Sequence, residues 1–278
     1  MIVRAPATSA NLGPGFDCAG VALELWNELE LSETGDQGVR VVVDGEGAGE
    51  LPEDESNLVV RAYSLLASPH GKRFRLSNRI PLERGLGSSA AAIALGLAAA
   101  DPDGEPGRLL ELGLELESHA DNLAPALVGG VCLTWEGRIA RIADRLPLHA
   151  VLVVPEERTA TAAARSALPP TIPHEDASFT TARALLLGAA AASSDTELMA
   201  AALDDRLHEP YRSSALLDAL RTELPSAAAG ATLSGSGPSV VVWSTDPTTS
   251  RIDLERRFPE HRVVSLAVAT EGALRATR

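Results

Sequence analysis

The stretch that most constrains the fold is Gly85-Leu86-Gly87-Ser88-Ser89, followed by an alanine-rich run to Ala100. Alanine is the best helix former, so the run predicts a helix that begins at the serines. Glycine at 85 and 87 lets the backbone turn sharply and come close to a ligand. Free N–H groups and the positive end of the helix dipole then lie at the junction, which is the physics of an anion site. The same spacing also describes a plain helix N-cap, and the loop alone leaves both readings open. A Rossmann site would need a buried strand immediately before the loop, whereas Asn78-Arg79-Ile80-Pro81-Leu82-Glu83-Arg84 is polar and carries a proline.

The 278 residues exceed what one compact core usually spans, so two domains or one large α/β unit are expected. Helices dominate the pattern after residue 148, which places a boundary there. A net charge of −14 argues against nucleic-acid or anionic-membrane partners. Lys72 is the only lysine. A Walker A loop needs a lysine beside the phosphates, and Gly85–Ser89 has none; Schiff-base chemistry would have to rest on Lys72, beside Gly71 in a turn. Cys18 and Cys132 are too few for a disulfide framework or a zinc site. With no 18-residue apolar run and no signal-peptide pattern, a soluble, cytoplasmic protein is expected.

Along the chain, residues 2–4 read as a strand leading into a loop over 5–17, rich in Pro, Gly, Ser and Asn. A helix is expected at 58–66 and a short strand at 74–76. Residues 107–122 read as one helix on which Glu111, Glu115 and His119, spaced by four, share a face, with Pro125 as its stop. A hairpin follows, turning at Glu136-Gly137. A strand at 150–154, helices at 178–192, 195–205 and 214–223, a glycine-rich stretch at 230–239 before a strand at 240–243, and a strand at 262–269 complete the pattern.

Taken together, segments 6–17, 81–92, 119–130 and 233–239 resemble the GHMP small-molecule kinase superfamily, and within it the homoserine kinases; 161–169 and 205–212 support the match. Mevalonate and galactose kinases open with Ala-Pro-Gly and a basic residue, whereas Ala5-Pro6 here is followed by Ala7-Thr8-Ser9. The resemblance implies an α+β, two-domain fold. Residues 1–148 would form an ATP-binding domain like ribosomal protein S5 domain 2, and residues 149–278 a ferredoxin-like domain.

It also implies ATP-dependent phosphorylation of the L-homoserine hydroxyl, on the route to threonine. Pro81, Arg84, Gly85, Leu86, Gly87, Ser88, Ser89, Ala90 and Ala91 would then surround the ATP phosphates, with Ser88 (or Ser89) and Glu111 on Mg²⁺. Asn11, Asp17, His119 and Asp121 would surround the amino acid, Asp17 suiting its ammonium. Arg165 and Arg212 would grip the α-carboxylate, and Gly235 would close the floor. Asn122 stands where several relatives carry a catalytic aspartate, which leaves no obvious general base. Ala120 stands where relatives commonly carry Gly or Pro, and the segment between Arg212 and Gly230 is shorter than usual. Relatives often pair, so a homodimer is expected. The alternatives are another GHMP kinase, acting on a sugar or isoprenoid alcohol, and a non-catalytic sensor of ATP or an amino acid.

Overall fold

The computed structural model describes residues 1–159 and 161–275. The chain builds two sheets. The first has the order β11-β1-β2-β4-β3, with β5 and β6 continuing from the start of β2. β1 (Ile2–Ala10) runs well past the expected residues 2–4. Pro6 does not end it, because the register against β2 (Ala19–Glu33) shifts between Pro6 and Ala7, a bulge where a missing N–H is tolerated. The loop that carries Asn11 and Asp17 is therefore shorter than expected and hangs from a strand end. β3 (Arg40–Gly45) pairs in parallel with β4 (Lys72–Asn78), and α1 (Leu58–Ser64) lies between them in sequence.

α2 (Ser88–Ala100) is the helix expected after the glycine loop. Nine of its residues are buried and none is charged, so it is covered on every side, packing on α1, β1 and α4. The single helix expected over 107–122 is instead two: α3 (Pro106–Gly113) and α4 (Ala120–Val128). Glu105 caps the first through the N–H groups of Gly107 and Arg108, and turns at Leu112 and Gly113 end it. Pro125 lies inside α4 instead of stopping it. It removes only the bond to the Asp121 carbonyl, which packs so closely on Gly20 that a Cβ there would lie 1.8 Å away. The hairpin forms as expected from β5 (Val131–Trp135) and β6 (Arg138–Ala143).

The second sheet has the order β10-β7-β9-β8, every pair antiparallel. Its strands are β7 (His149–Val154), β8 (Ala228–Leu233), β9 (Val240–Ser244) and β10 (Arg262–Leu266). Between β7 and β8 come α5 (Thr161–Ser166), α6 (His174–Ser193), α7 (Thr196–Ala202) and α8 (Ala215–Thr222); α9 (Pro247–Arg257) joins β9 to β10. Numbered within the sheet, the order is 4-1-3-2 with helices in the first and last connections, the ferredoxin-like pattern. The chain then returns to the first sheet, where β11 (Leu274–Arg275) pairs with β1. Among the described residues no helix is long and apolar enough to cross a membrane.

Candidate active site

The start of α2, the loop after β1, the start of α4, the α5 region and the 234–236 turn meet around a cavity of about 390 Å³. Gly87 caps α2 in the left-handed region at φ 66°, with no side-chain cap and no acidic residue in the first turn. The helix N-terminus therefore stays open to an anion. A Cβ at Gly87 would lie 1.9 Å from Thr8 Oγ1, and one at Gly85 2.0 Å from the Ser234 carbonyl oxygen. The loop is pinned by Thr8 N–H to the Leu86 carbonyl at 3.1 Å and by Ser234 Oγ to the Gly85 carbonyl at 2.6 Å.

Arg84 lines the cavity, but its guanidinium is occupied by the carbonyls of Leu82, Pro155 and Glu156. It staples the loop to the end of β7. Leu86, Ser88 and Ser89 line the cavity with the two glycines. Pro81, Ala90 and Ala91, expected beside the phosphates, are buried and do not line it; the two alanines lie on α2, which is wrapped in core on all sides.

The carboxylate beside the serines is Glu117, not Glu111. Splitting 107–122 into two helices leaves Glu111 exposed on α3, in a separate groove with Glu105 and Trp135. Glu117, in the connection to α4, lines the cavity and hydrogen-bonds Ser89 and His119 Nδ1, the latter at 2.7 Å. Burial works against its charge, but the bonds from His119 and Ser89 hold its carboxyl below the ordinary range. The same bond raises His119. Sequence reasoning missed Glu117, which stands two residues before His119 and off the stripe of four-residue spacing.

Asn122 lines the cavity at the start of α4, and its Oδ1 accepts from Thr8 Oγ1 at 2.7 Å. Thr8 is fully buried, and sequence reasoning gave it no role. Asp121 is buried beside Asp17; burial first, then that neighbour's charge, push its carboxyl up to about 6. On the far side, Asn11 donates Nδ2 to the Gly235 carbonyl at 2.9 Å and accepts from the Asp17 N–H at 3.0 Å. Asn11, Leu12 and Asp17 all have positive φ (70°, 49° and 56°), backbone strain of the kind that gathers at ligand sites.

Asp17 pairs with Arg165 through two parallel bonds of 3.0 and 2.7 Å. The guanidiniums of Arg165 and Arg212 each lie 5.5 Å from the Phe16 ring, which stacks on buried His208 at 4.9 Å. Arg212 donates to the Gly235 carbonyl at 2.7 Å, and its Nε is buried with no partner. The structure thus brings together Asn11, Asp17, His119, Asp121, Asn122, Arg165, Arg212 and Gly235. Of the supporting 161–169 segment, the preceding Ala160 lies outside the described residues, and only the backbone of 161–163 is placed.

A second cleft, about 290 Å³, shares Glu83, Ser88 and Ser89 with the first and is otherwise walled largely by apolar groups, among them Leu51, Pro52, Leu58, Val59 and Ala92. A small apolar slot beside an open helix N-terminus is shaped for a flat ring attached to phosphates.

Residues 57–130 match the family model described as GHMP kinases N terminal domain. The chain is 44% identical to a homoserine kinase of Leifsonia xyli subsp. xyli, over 98% of this chain and 90% of that protein. It is 41% identical to a homoserine kinase of Clavibacter michiganensis subsp. michiganensis, over 98% and 92%. Among solved structures, homoserine kinase from Cytophaga hutchinsonii superposes with a TM-score of 0.88 at 29% identity, covering 98% of this chain and 96% of that one. A mevalonate kinase of L. major shares the fold at a TM-score of 0.73 and 17% identity, over 98% and 96%. With whole-length identity at this level, the chain belongs to the homoserine kinase family of the GHMP kinases.

Proposed function

We propose that this enzyme transfers the γ-phosphoryl group of ATP to the side-chain hydroxyl of L-homoserine, on the route to threonine. The observation that carries the reading is one cavity holding both an uncapped helix N-terminus and a carboxylate–arginine set matched to a zwitterion. Residues 1–148 serve as the ATP-binding domain and 149–278 as the second domain, apart from the stretch 267–275 that returns to the first sheet. The base of ATP occupies the apolar cleft at Leu51 and Val59, and its phosphates lie on the backbone of Gly85–Ser89. Asp17 takes the ammonium, and Arg165 and Arg212 take the α-carboxylate.

Ser88 or Ser89 and Glu117 would hold Mg²⁺. Hydroxyl oxygen and one ionised carboxylate are a hard, incomplete donor set, which phosphate oxygens and water complete. Among the described residues no cluster of three or more His, Cys, Asp or Glu side chains could hold a metal ion. The ion supplies neutralisation of the charge that builds on the transferred phosphoryl group.

The side chains do the rest by position. Asn122 Oδ1 accepts from Thr8, which leaves the amide N–H groups as donors for the cavity, and an uncharged amide is not basic enough to take a proton there. The substrate O–H bond breaks as the new O–P bond forms and the bond to ADP opens. Asp121, poised near neutrality, is the carboxylate at hand for that proton.

The net charge of −14 supports a protein without nucleic-acid or anionic-membrane partners. Gel filtration tests the homodimer. ADP release from Mg-ATP, with and without L-homoserine, beside mevalonate, galactose and L-serine, tests the reaction. Homoserine-dependent ADP alone is the expected result; release with a sugar or isoprenoid alcohol instead would reassign the substrate.

A further inference from the structure

The two groups that suit opposite ends of the substrate are bonded to each other. Arg165 and Asp17 form a bidentate pair, although each side chain keeps over a third of its surface exposed (47% and 41%). Each is also presented from one side only. The Asp17 N–H is held by Asn11, and Arg165 lies over Phe16. Beside them Arg212 keeps a buried Nε without a partner. From this geometry we infer that the Asp17–Arg165 pair is a latch across the amino-acid site, opened without loss only by a zwitterion.

The inference rests on the homoserine reading and deepens it. An α-amino acid entering here replaces one ion pair by two. Its ammonium takes the place of Arg165 on Asp17, and its carboxylate takes the place of Asp17 on Arg165, beside the Arg212 side chain that lines the same cavity. A ligand with only one of those charges must break the pair and leave one of its members unmatched. The pair therefore does more than contact substrate. It sets a threshold against half-charged alcohols, and so acts as a repulsive element of specificity.

The test needs no turnover. Ligand-observed NMR titration of 3-aminopropan-1-ol (homoserine without its carboxylate) and 4-hydroxybutanoate (homoserine without its ammonium) is run on wild type, Arg165→Ala, Arg165→Lys, Asp17→Asn and Arg212→Ala. Circular dichroism melts check that each variant is folded. The latch requires gains from deletion. The amine binds Arg165→Ala up to about fivefold tighter than wild type, the range of a partly exposed ion pair. Arg165→Lys, which keeps the charge but loses the fork, falls between the two. The hydroxy acid gains similarly in Asp17→Asn. Arg212→Ala removes as much positive charge without touching the pair, and gives the amine no such gain.

Unchanged or weaker binding of each half-analogue to its matching variant overturns the latch, and so does an equal gain in Arg212→Ala, which would reveal a general field effect. Failure of the homoserine reading shows elsewhere, in wild-type enzyme that turns over another alcohol.

Discussion

The two ends of the cavity are built on opposite plans. At the phosphate end the ligand groups are backbone and short side chains, each already pinned: Leu86 by Thr8, Gly85 by Ser234, Ser89 by Glu117, Asn122 by Thr8. At the amino-acid end Asp17 and Arg165 are charged side chains whose partners are each other. The first plan suits a ligand common to many enzymes, since a fixed cradle loses little order on binding. The second suits discrimination, because exchange of partners rewards only a molecule with both charges.

If the phosphate end is fixed by packing, the largest effect comes from filling it. Gly87→Ala puts a Cβ against Thr8 at a left-handed φ, and is expected to lower kcat/KM for ATP by at least about a thousandfold, as steady-state kinetics will read. A loss under tenfold would mean that the loop is as adaptable as the arginine end. Next, Glu117→Gln should cost about a hundredfold in activity and shift the Mg²⁺ titration upward, while Glu111→Gln leaves both unchanged. Reversed outcomes would restore the carboxylate that the family resemblance suggested. Thr8→Val is expected to lower kcat about tenfold with the KM for ATP nearly unchanged, and Thr8→Ser to restore it, because only the hydroxyl that orients Asn122 is lost.

The smallest effect concerns Asp121. With its carboxyl near 6, kcat/KM for homoserine should fall about fourfold from pH 7 to pH 5.5, and Asp121→Asn should flatten that limb at a lower rate. The same shift has a stability consequence of definite sign. A carboxyl raised above its ordinary 3.8 favours the folded state fully only below that value, and the benefit is lost as pH rises through about 6. Asp121→Asn should therefore raise Tm at pH 7, and thermal melts at pH 4 and 7 read the difference.

The phosphate end was the more legible in sequence, for the same physical reason. Gly85–Ser89 and α2 are contiguous, and their meaning lies in local backbone freedom and helix propensity. The apolar sheath of α2 also explains the excess in that reading: Ala90 and Ala91 belong to the motif but face the core. Glu111 takes its Mg²⁺ role from the family resemblance, and an unbroken helix over 107–122 would have kept it on the face of His119; the turn after Gly113 removes it from that face. The side chains of the other end were named through the family, but their mutual pairing was not readable. Asp17 and Arg165 stand 148 residues apart, and only the closed fold brings them within 2.7 Å. Thr8 was passed over because a threonine on a strand looks ordinary until its partner is known.

The return of the chain to the first sheet bears on how this protein is made. Ala269 exchanges hydrogen bonds with Ala22 and Gly130, Ala273 bonds to Leu127, and β11 then pairs with β1, the strand whose end carries Asn11. During synthesis the first sheet thus lacks its outer edge until residues 267–275 emerge, long after its other strands have been translated. The amino-terminal half must wait as an incomplete sheet with an exposed edge while the other half is made. A ribosome-stalled chain ending near residue 260 should accordingly be protease-sensitive at β1.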